Sequence, residues 1–325
     1  MKQYSSAPIL YPVLVAGLTI VLLAGFIPYL KPYTAWLTPP VALAMGLAYA
    51  LIFGITHPKI NKIGSKILLQ YSVVGLGFGM NIAEALASGR QGMLFTIASV
   101  FGTLFFGWLI GRKILKVERN TSSLISSGTA ICGGSAIAAV APIIRAKEEE
   151  TSVALGTIFL LNAVALFIFP LIGHALGMNQ QQFGTWAAIA IHDTSSVVGA
   201  GAAFGEEALK IATTVKLTRA LWIIPLTLLY SFMYPGEGKK KLKVPLFILF
   251  FILAIVLNTY IVSQWCPSVG NVIAQIARKG LTLSLFFIGA SLTRKVIANV
   301  GPKALLQGVL LWLVISITSL LFVFL

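Results

Sequence analysis

The chain has 325 residues, of which 58% are hydrophobic and only 10% are charged, and its mean hydropathy is +0.92. A soluble domain carries about 25% charged residues, so these charges are too few to solvate a globular surface. The net charge of +15 lies mostly in short segments between apolar runs, which argues against a nucleic-acid-binding stripe. The composition predicts an all-α polytopic membrane protein.

Apolar segments long enough for a helix to cross a bilayer follow one another along the whole chain. The first follows Lys2 as in a signal peptide but lacks a small-residue cleavage site, so we expect an uncleaved span. We predict a single transmembrane domain, residues 1–325, with a helical bundle of about 11 spans. The segments are 9–30, 36–56, 64–86, 91–111, 121–143, 151–177, 184–204, 211–234, 244–264, 270–292 and 304–325.

The lysines and arginines between these segments predict the orientation of the bundle. About twice as many fall on one face as on the other, and cytoplasmic loops are the richer ones. The richer face includes residues 239–243. We therefore predict a cytoplasmic N-terminus and, after an odd number of spans, a periplasmic or extracellular C-terminus.

Two internal similarities suggest repeats. Residues 77–89 align with 289–301 at an offset of 212, and the small and polar residues of 127–134 align with 192–199 at an offset of 65. In the eleven-span count the first pair runs in opposite directions, as in an inverted repeat.

The two offsets do not define one simple repeat. A scheme consistent with the count is an extra first helix, 9–30, followed by two halves of about 36–177 and 184–325. An odd number of helices in each half would invert the second half.

The fifth segment contains the glycine pair Gly133-Gly134, surrounded by hydroxyl side chains. Glycines weaken a helix, and irregular backbone at membrane depth is tolerated only where protein buries it or water wets it. Freed N–H groups at the start of a half-helix attract anions. The alternative is that small residues only allow close helix packing. The candidate substrate-binding residues are Ser127, Gly128, Thr129, Cys132, Gly133, Gly134 and Ser135.

The seventh segment carries five consecutive polar residues. Asp193 is the only carboxylate well inside a predicted span, and such groups are functional candidates. Alternatively, Asp193 caps a half-helix through the N–H groups of Ser195 or Ser196. His192 could relay protons or be purely structural. We assign substrate binding to Thr194, Ser195 and Ser196, and coupling or gating to His192 and Asp193.

The eighth segment contains Lys216 and Arg219, which are three residues apart and so share a helix face. Either they point inward, towards Asp193 or a bound anion, or they extend to the membrane interface. Asn81 and Asn162 are secondary site candidates.

The chain lacks the residue patterns of an enzyme or a metalloprotein. His192 and Asp193 are adjacent, so on a helix their side chains diverge and cannot form a relay with each other. None of the three histidines lies in a metal-binding pair, and Cys132 and Cys266 are far apart. We expect no catalytic activity, no cofactor and no metal site.

Four motifs closely resemble the YeiH-type family, whose description as sulfate exporters records an inferred activity. The resemblance covers residues 37–325 and is carried by residues 128–136, 145–150, 191–198 and 215–221. It implies a bacterial inner-membrane carrier for sulfate or related anions. Such proteins also look like carriers of the bile-acid/sodium-symporter type, with inverted repeats and broken crossing helices, which is an analogy of fold.

Together, the residues and the resemblance predict a secondary transporter of a small anion such as sulfate or an organic sulfonate. An anion channel is the alternative, because it would need the same charges. The expected partners are the anion and membrane lipid, and they can include a coupling ion (H⁺ or Na⁺) and a second copy in a homodimer. Nucleic acid is not expected.

Overall fold

The computed structural model describes residues 7–234, 246–291 and 301–325, and within these ranges the chain is helical and has no β-strand. Residues 239–243, on which the predicted orientation partly rests, lie outside them, as does most of 289–301. The helices are α1 (Ala7–Ala24), α2 (Lys31–Thr34), α3 (Pro39–Phe53), α4 (Pro58–Lys62), α5 (Leu69–Leu76), α6 (Ile82–Trp108), α7 (Arg119–Ala130), α8 (Gly134–Val140), α9 (Glu148–Ala175), α10 (Gln180–Ala190), α11 (Thr194–Phe204), α12 (Glu206–Ala220), α13 (Ile223–Met233), α14 (Leu246–Leu257), α15 (Ser263–Trp265), α16 (Pro267–Gly289) and α17 (Pro302–Phe324).

Among the described residues, six helical stretches are long and apolar enough to cross a membrane. They are Phe95–Ile114, Glu148–Ala175, Glu206–Met233, Leu246–Trp265, Pro267–Gly289 and Pro302–Phe324. Wider π-helical turns join α4 to α5, extend α6 and join α14 to α15. The prediction of a helical membrane bundle is confirmed at this level, whereas the count of about 11 spans is not.

The chain divides into two compact units, each of which draws on both predicted halves. The first contains residues 7–82 and 246–291, and the second contains residues 83–234 and 301–325. The single-domain boundary and the two repeat halves remain predictions.

The first unit has a core of aliphatic and aromatic side chains from α1, α3 and α16, among them Tyr11, Tyr49 and Phe286. Helices α3 and α16 touch through their backbones, because a β-carbon on Gly46 would lie 2.1 Å from the carbonyl oxygen of Phe286. Small residues permit this close approach in membrane helices. In this unit, apolar packing surrounds a buried polar contact, in which Asn61 accepts from the Tyr11 hydroxyl and donates to the Ala290 carbonyl.

The second unit contains two helical hairpins, and the first is α7 followed by α8. Its two ends lie together, because Asn120 Nδ2 at the start of α7 donates to Glu150 Oε2 in the first turn of α9 at 3.1 Å. The turn is closed by the Gly133 N–H, which donates to the Gly128 carbonyl at 2.8 Å. Helices α7 and α8 then pack against each other at Gly128 and Ile137.

The second hairpin is α10 followed by α11, and its ends also lie together. Gln180 Oε1, in the first turn of α10, accepts from the backbone N–H groups of Glu207 at 2.9 Å and Ala208 at 3.2 Å, in the first turn of α12. The side chain of Asn179 caps α10 by accepting from the Gln182 N–H at 2.8 Å.

These hairpins lie at residues 121–143 and 184–204, where two spans were expected. Each segment was predicted to cross the membrane as one broken helix, and in the structure the two ends of each hairpin lie together. The interruptions themselves were predicted correctly. The sequence similarity between the two segments has an offset of 65, whereas the breaks at 131–133 and 191–193 are 60 residues apart.

Candidate functional site

The tips of the two hairpins meet inside the second unit. The first tip is residues 131–133, between α7 and α8, and the second tip is residues 191–193, between α10 and α11. A β-carbon on Gly133 would lie 3.4 Å from both Cα and Cβ of Asp193 and 3.3 Å from Ile158. Gly133 also has a φ of +65°, a conformation that other residues rarely adopt. Glycine is therefore required at this point of contact.

Lys216 and Arg219, on α12, are fully buried beside the two tips. Lys216 Nζ donates to the carbonyls of Ile191 at 2.7 Å and Ala188 at 3.3 Å. This outcome excludes the alternative in which the two side chains extend to the membrane interface. It also places Lys216 on the carbonyl end of α10.

Arg219 connects the two hairpins. Its NH1 donates to the carbonyl of Ile189 in α10 at 2.9 Å, and its NH2 donates to the carbonyl of Ala130 in α7 at 2.6 Å. The last carbonyls of a helix have no partner within the helix and carry its negative dipole end. The guanidinium therefore satisfies and neutralises both carbonyl ends at once.

Asn162, on α9, serves the backbone of the second tip. Its Oδ1 accepts from the N–H groups of His192 at 3.0 Å and Asp193 at 3.2 Å. An unpaired backbone N–H at this depth would be costly, so this secondary candidate supports the tip directly.

Asp193 caps α11, as one of its two predicted roles required. Its Oδ2 accepts from the backbone N–H groups of Ser195 at 3.1 Å and Ser196 at 3.4 Å, and from the Ser195 hydroxyl. Neither Lys216 nor Arg219 donates to it, since their bonds go to carbonyls.

Several buried polar atoms at the tips have no hydrogen-bond partner in the part of the chain that the structure describes. They are Thr129 Oγ1, Asn162 Nδ2, both ring nitrogens of His192 and Arg219 Nε. The ammonium of Lys216 also has a third hydrogen beyond its two carbonyl bonds. The tips thus hold several hydrogen-bond donors, two of them on basic side chains, from which a small anion could accept hydrogen bonds.

The charges at the tips add up to a positive site. With Lys216 protonated, it and Arg219 contribute two positive charges and Asp193 one negative charge. The carbonyl ends of α7 and α10 each carry roughly half a negative elementary charge, and the N–H ends of α8 and α11 each carry roughly half a positive one. These four partial charges cancel. With His192 neutral, about one positive charge remains, which suits an anion.

The other predicted residues are distributed as follows. Ser127 Oγ donates to the Ser123 carbonyl at 2.7 Å and lies 3.2 Å from Tyr230 Oη. Cys132 is buried at the first tip, whereas Ser135 lies on the exposed face of α8 and Thr194 is half-buried at the start of α11. Asn81 belongs to the first unit, just before α6.

A family model described as "Conserved hypothetical protein 698" matches residues 12–308, nearly the whole chain. The chain belongs to this family. It is the same family as the one that the four motifs resemble, so that identification is confirmed.

Members of the family are similar to the chain over almost their full length. A UPF0324 membrane protein of Porphyromonas gingivalis is 70% identical over 98% of this chain and 96% of its own length. One from Bacteroides thetaiotaomicron is 63% identical over 97% and 95%, and one from Geobacter sulfurreducens is 45% identical over 88% and 91%. No solved structure matches significantly. The relatives' names give a membrane protein and no activity.

In this family member, sequence reasoning missed a second polar cluster, between α6, α7 and α17. Gln307 Nε2 donates to Ser122 Oγ at 3.0 Å and Ser126 Oγ at 3.2 Å. A β-carbon on Gly107 would lie 2.1 Å from Ser126 Oγ. The spacing of Gly107 and Gly111 opposite Ser122 and Ser126 is the small-residue signal that could have revealed this contact.

Proposed function

We propose that the chain is a secondary transporter of a small anion, such as sulfate or an organic sulfonate, in the bacterial inner membrane, and not an enzyme. The observation that carries the proposal is the full burial of Lys216 and Arg219 between two hairpin tips. Ionisable groups at membrane depth are costly and mark substrate or ion pathways. A site with about one excess positive charge attracts an anion.

The anion would bind through donors that the fold leaves unused. These are Arg219 Nε, the third hydrogen of Lys216 and the amide of Asn162. Hydrogen bonds from cations to oxyanions are about twice as strong as neutral ones, so the two basic residues would supply most of the affinity.

The two hairpins also suggest how the chain crosses the bilayer. Helix α9, with 28 residues, separates them and is long enough to span. One span between two hairpins means that they enter from opposite sides and meet at their tips. We therefore replace the eleven spans by nine spans and two re-entrant hairpins, with the N-terminus cytoplasmic. Arg145 and Lys147 then join the positively charged cytoplasmic face.

This arrangement accommodates a repeat with more than one sequence offset. At an offset of 60, Ala130-Ile131 and Ser135 are identical to Ala190-Ile191 and Ser195. We propose one inverted repeat whose second copy is circularly permuted. The elements α3, α5, α6, first hairpin and α9 then correspond to α14, α16, α17, second hairpin and α12–α13. Inverted repeats around a site at the membrane midplane are typical of secondary transporters.

The test is exchange in proteoliposomes. Labelled sulfate outside should exchange for unlabelled sulfate inside, with a rate that saturates as the external concentration rises. A linear, non-saturating flux would support the anion channel instead. The absence of anion flux under any gradient would contradict transport.

A further inference from the structure

Carriers with discontinuous helices bind their coupling cation at unwound carbonyls and at the C-terminal ends of half-helices. The second unit has two such ends, on α7 and α10. The groups that bind these carbonyls therefore determine whether a coupling cation can bind there. This question rests on the proposed function, because it concerns the coupling of that same site.

Basic side chains already bind three carbonyls at the end of α10 and one at the end of α7. The carbonyls of Ala188 and Ile191 accept from Lys216, and those of Ile189 and Ala130 accept from Arg219, at distances of 2.6–3.3 Å. These are ordinary distances for charge-assisted hydrogen bonds. The four oxygens thus meet positive charge without any bound ion.

Two buried positively charged side chains oppose the binding of a metal cation beside these carbonyls. Lys216 and Arg219 are fully buried, and so is Ile131 of the first tip. Asp193 Oδ2 already accepts from Ser195 and Ser196. A second cation beside two fixed ones would also be repelled.

We propose that Lys216 and Arg219 are resident counter-cations that take the place of a coupling Na⁺. Anion binding and transport then proceed without Na⁺. Arg219 holds the two carbonyl ends together and Lys216 binds the carbonyl end of α10, while their unused donors remain for the anion.

The first experiment uses the purified full-length protein in detergent, in gluconate salts of Na⁺, K⁺ or N-methylglucamine at equal ionic strength, with and without sulfate. A ligand that binds the folded state raises the melting temperature. We expect the same melting temperature in the three cations and the same shift with sulfate. A saturable rise specific to Na⁺ would overturn the proposal. A lack of any sulfate shift in all three salts would instead count against the proposed function.

The second experiment removes the side chain that binds the carbonyls at the end of α10. Lys216→Ala removes the ammonium from Ala188 and Ile191 and leaves space beside them, so Na⁺ should now raise the melting temperature. Lys216→Arg keeps the positive charge and should stay insensitive to Na⁺. A Lys216→Ala protein that folds and remains insensitive to Na⁺ would contradict the proposal. Should this variant fail to fold, the wild-type comparison in the three salts decides alone.

Discussion

The two hairpin tips have the same design but are held by different means. The first tip turns through backbone conformation, since Gly133 has a φ of +65° and its N–H donates to the Gly128 carbonyl. The second tip turns through side chains, with Asp193 capping α11 and Asn162 accepting two backbone N–H groups. Arg219 then binds the carbonyl end of each.

This difference indicates which kind of substitution should destabilise each tip. A steric change should damage the first tip, and the loss of a polar side chain should damage the second. Because Arg219 binds both tips, its removal should destabilise the protein more than a change at either tip alone. The first tip is also the less polar of the two, so the donors and the carboxylate that can respond to an anion lie mostly around the second.

The largest expected effect is all-or-none and concerns the side of the membrane on which each hairpin opens. Single cysteines at Lys116 and Arg145, in a Cys266→Ser background, should react with an impermeant maleimide from the cytoplasmic side only. Cysteines at Leu176 and Glu206 should react from the opposite side only. All four positions are exposed. Labelling of the cysteines at Lys116 and Arg145 from opposite sides would show that residues 121–143 cross the membrane as one broken helix.

Removal of Arg219 should destabilise both tips. Arg219→Met leaves two buried carbonyls without hydrogen bonds worth about 1.5–3 kcal/mol each, a total of roughly 3–6 kcal/mol. Thermal melting in detergent measures the loss. Arg145→Met removes an exposed arginine and should cost less than about 0.5 kcal/mol. Equal melting temperatures for the two variants would show that Arg219 does not hold the hairpins.

Asn162→Ala should destabilise the second tip alone. It leaves the N–H groups of His192 and Asp193 unpaired, at about 1–3 kcal/mol for each. Asn162→Asp keeps the accepting oxygen and should recover most of that stability, while its added negative charge lowers anion affinity. If Asn162→Asp melts as early as Asn162→Ala, the hydrogen bonds to the tip are not the cause.

The smallest effect isolates the backbone at the first tip. Gly133→Ala should cost about 1–3 kcal/mol, because residues with a β-carbon rarely adopt a φ of +65° with a ψ of −123°, and its close contacts add to this. Gly177→Ala has a similar φ of +64° but no atom within 4 Å, so it measures the conformational cost alone. Gly134→Ala meets only ordinary contacts, the nearest at 3.4 Å, and should be nearly neutral. Equal melting temperatures for Gly133→Ala and Gly134→Ala would mean that the first tip does not depend on glycine.

Much of the site could be predicted from the sequence because its residues are unusual in an apolar chain. Gly133, Asp193, Lys216 and Arg219 each violate the composition of a plain membrane helix, and the structure brings all four to the tips. Asn162 was found for the same reason. A polar or glycine residue within a hydrophobic run is a local signal that needs no knowledge of the fold.

The hairpins could not be predicted in this way, since an apolar run has the same composition whether it crosses or folds back. The deciding contacts join residues about 30 positions apart, Asn120 with Glu150 and Gln180 with Glu207. The partners of Lys216 and Arg219 are backbone carbonyls, which carry no sequence signal. One indication of the first hairpin was present in the sequence, because the eleven-span count placed Arg145 on the face with fewer positive charges.

The most direct test of an anion site at the tips is sulfate affinity, measured by thermal shift in the wild type, Lys216→Gln and Asp193→Asn. Removal of the Lys216 charge should weaken binding about ten- to hundredfold, since a charge-assisted bond is worth roughly 1.5–3 kcal/mol. Asp193→Asn preserves the cap and removes the only negative charge among these groups, so binding should hold or tighten. Unchanged affinity in both variants would contradict an anion site at the hairpin tips.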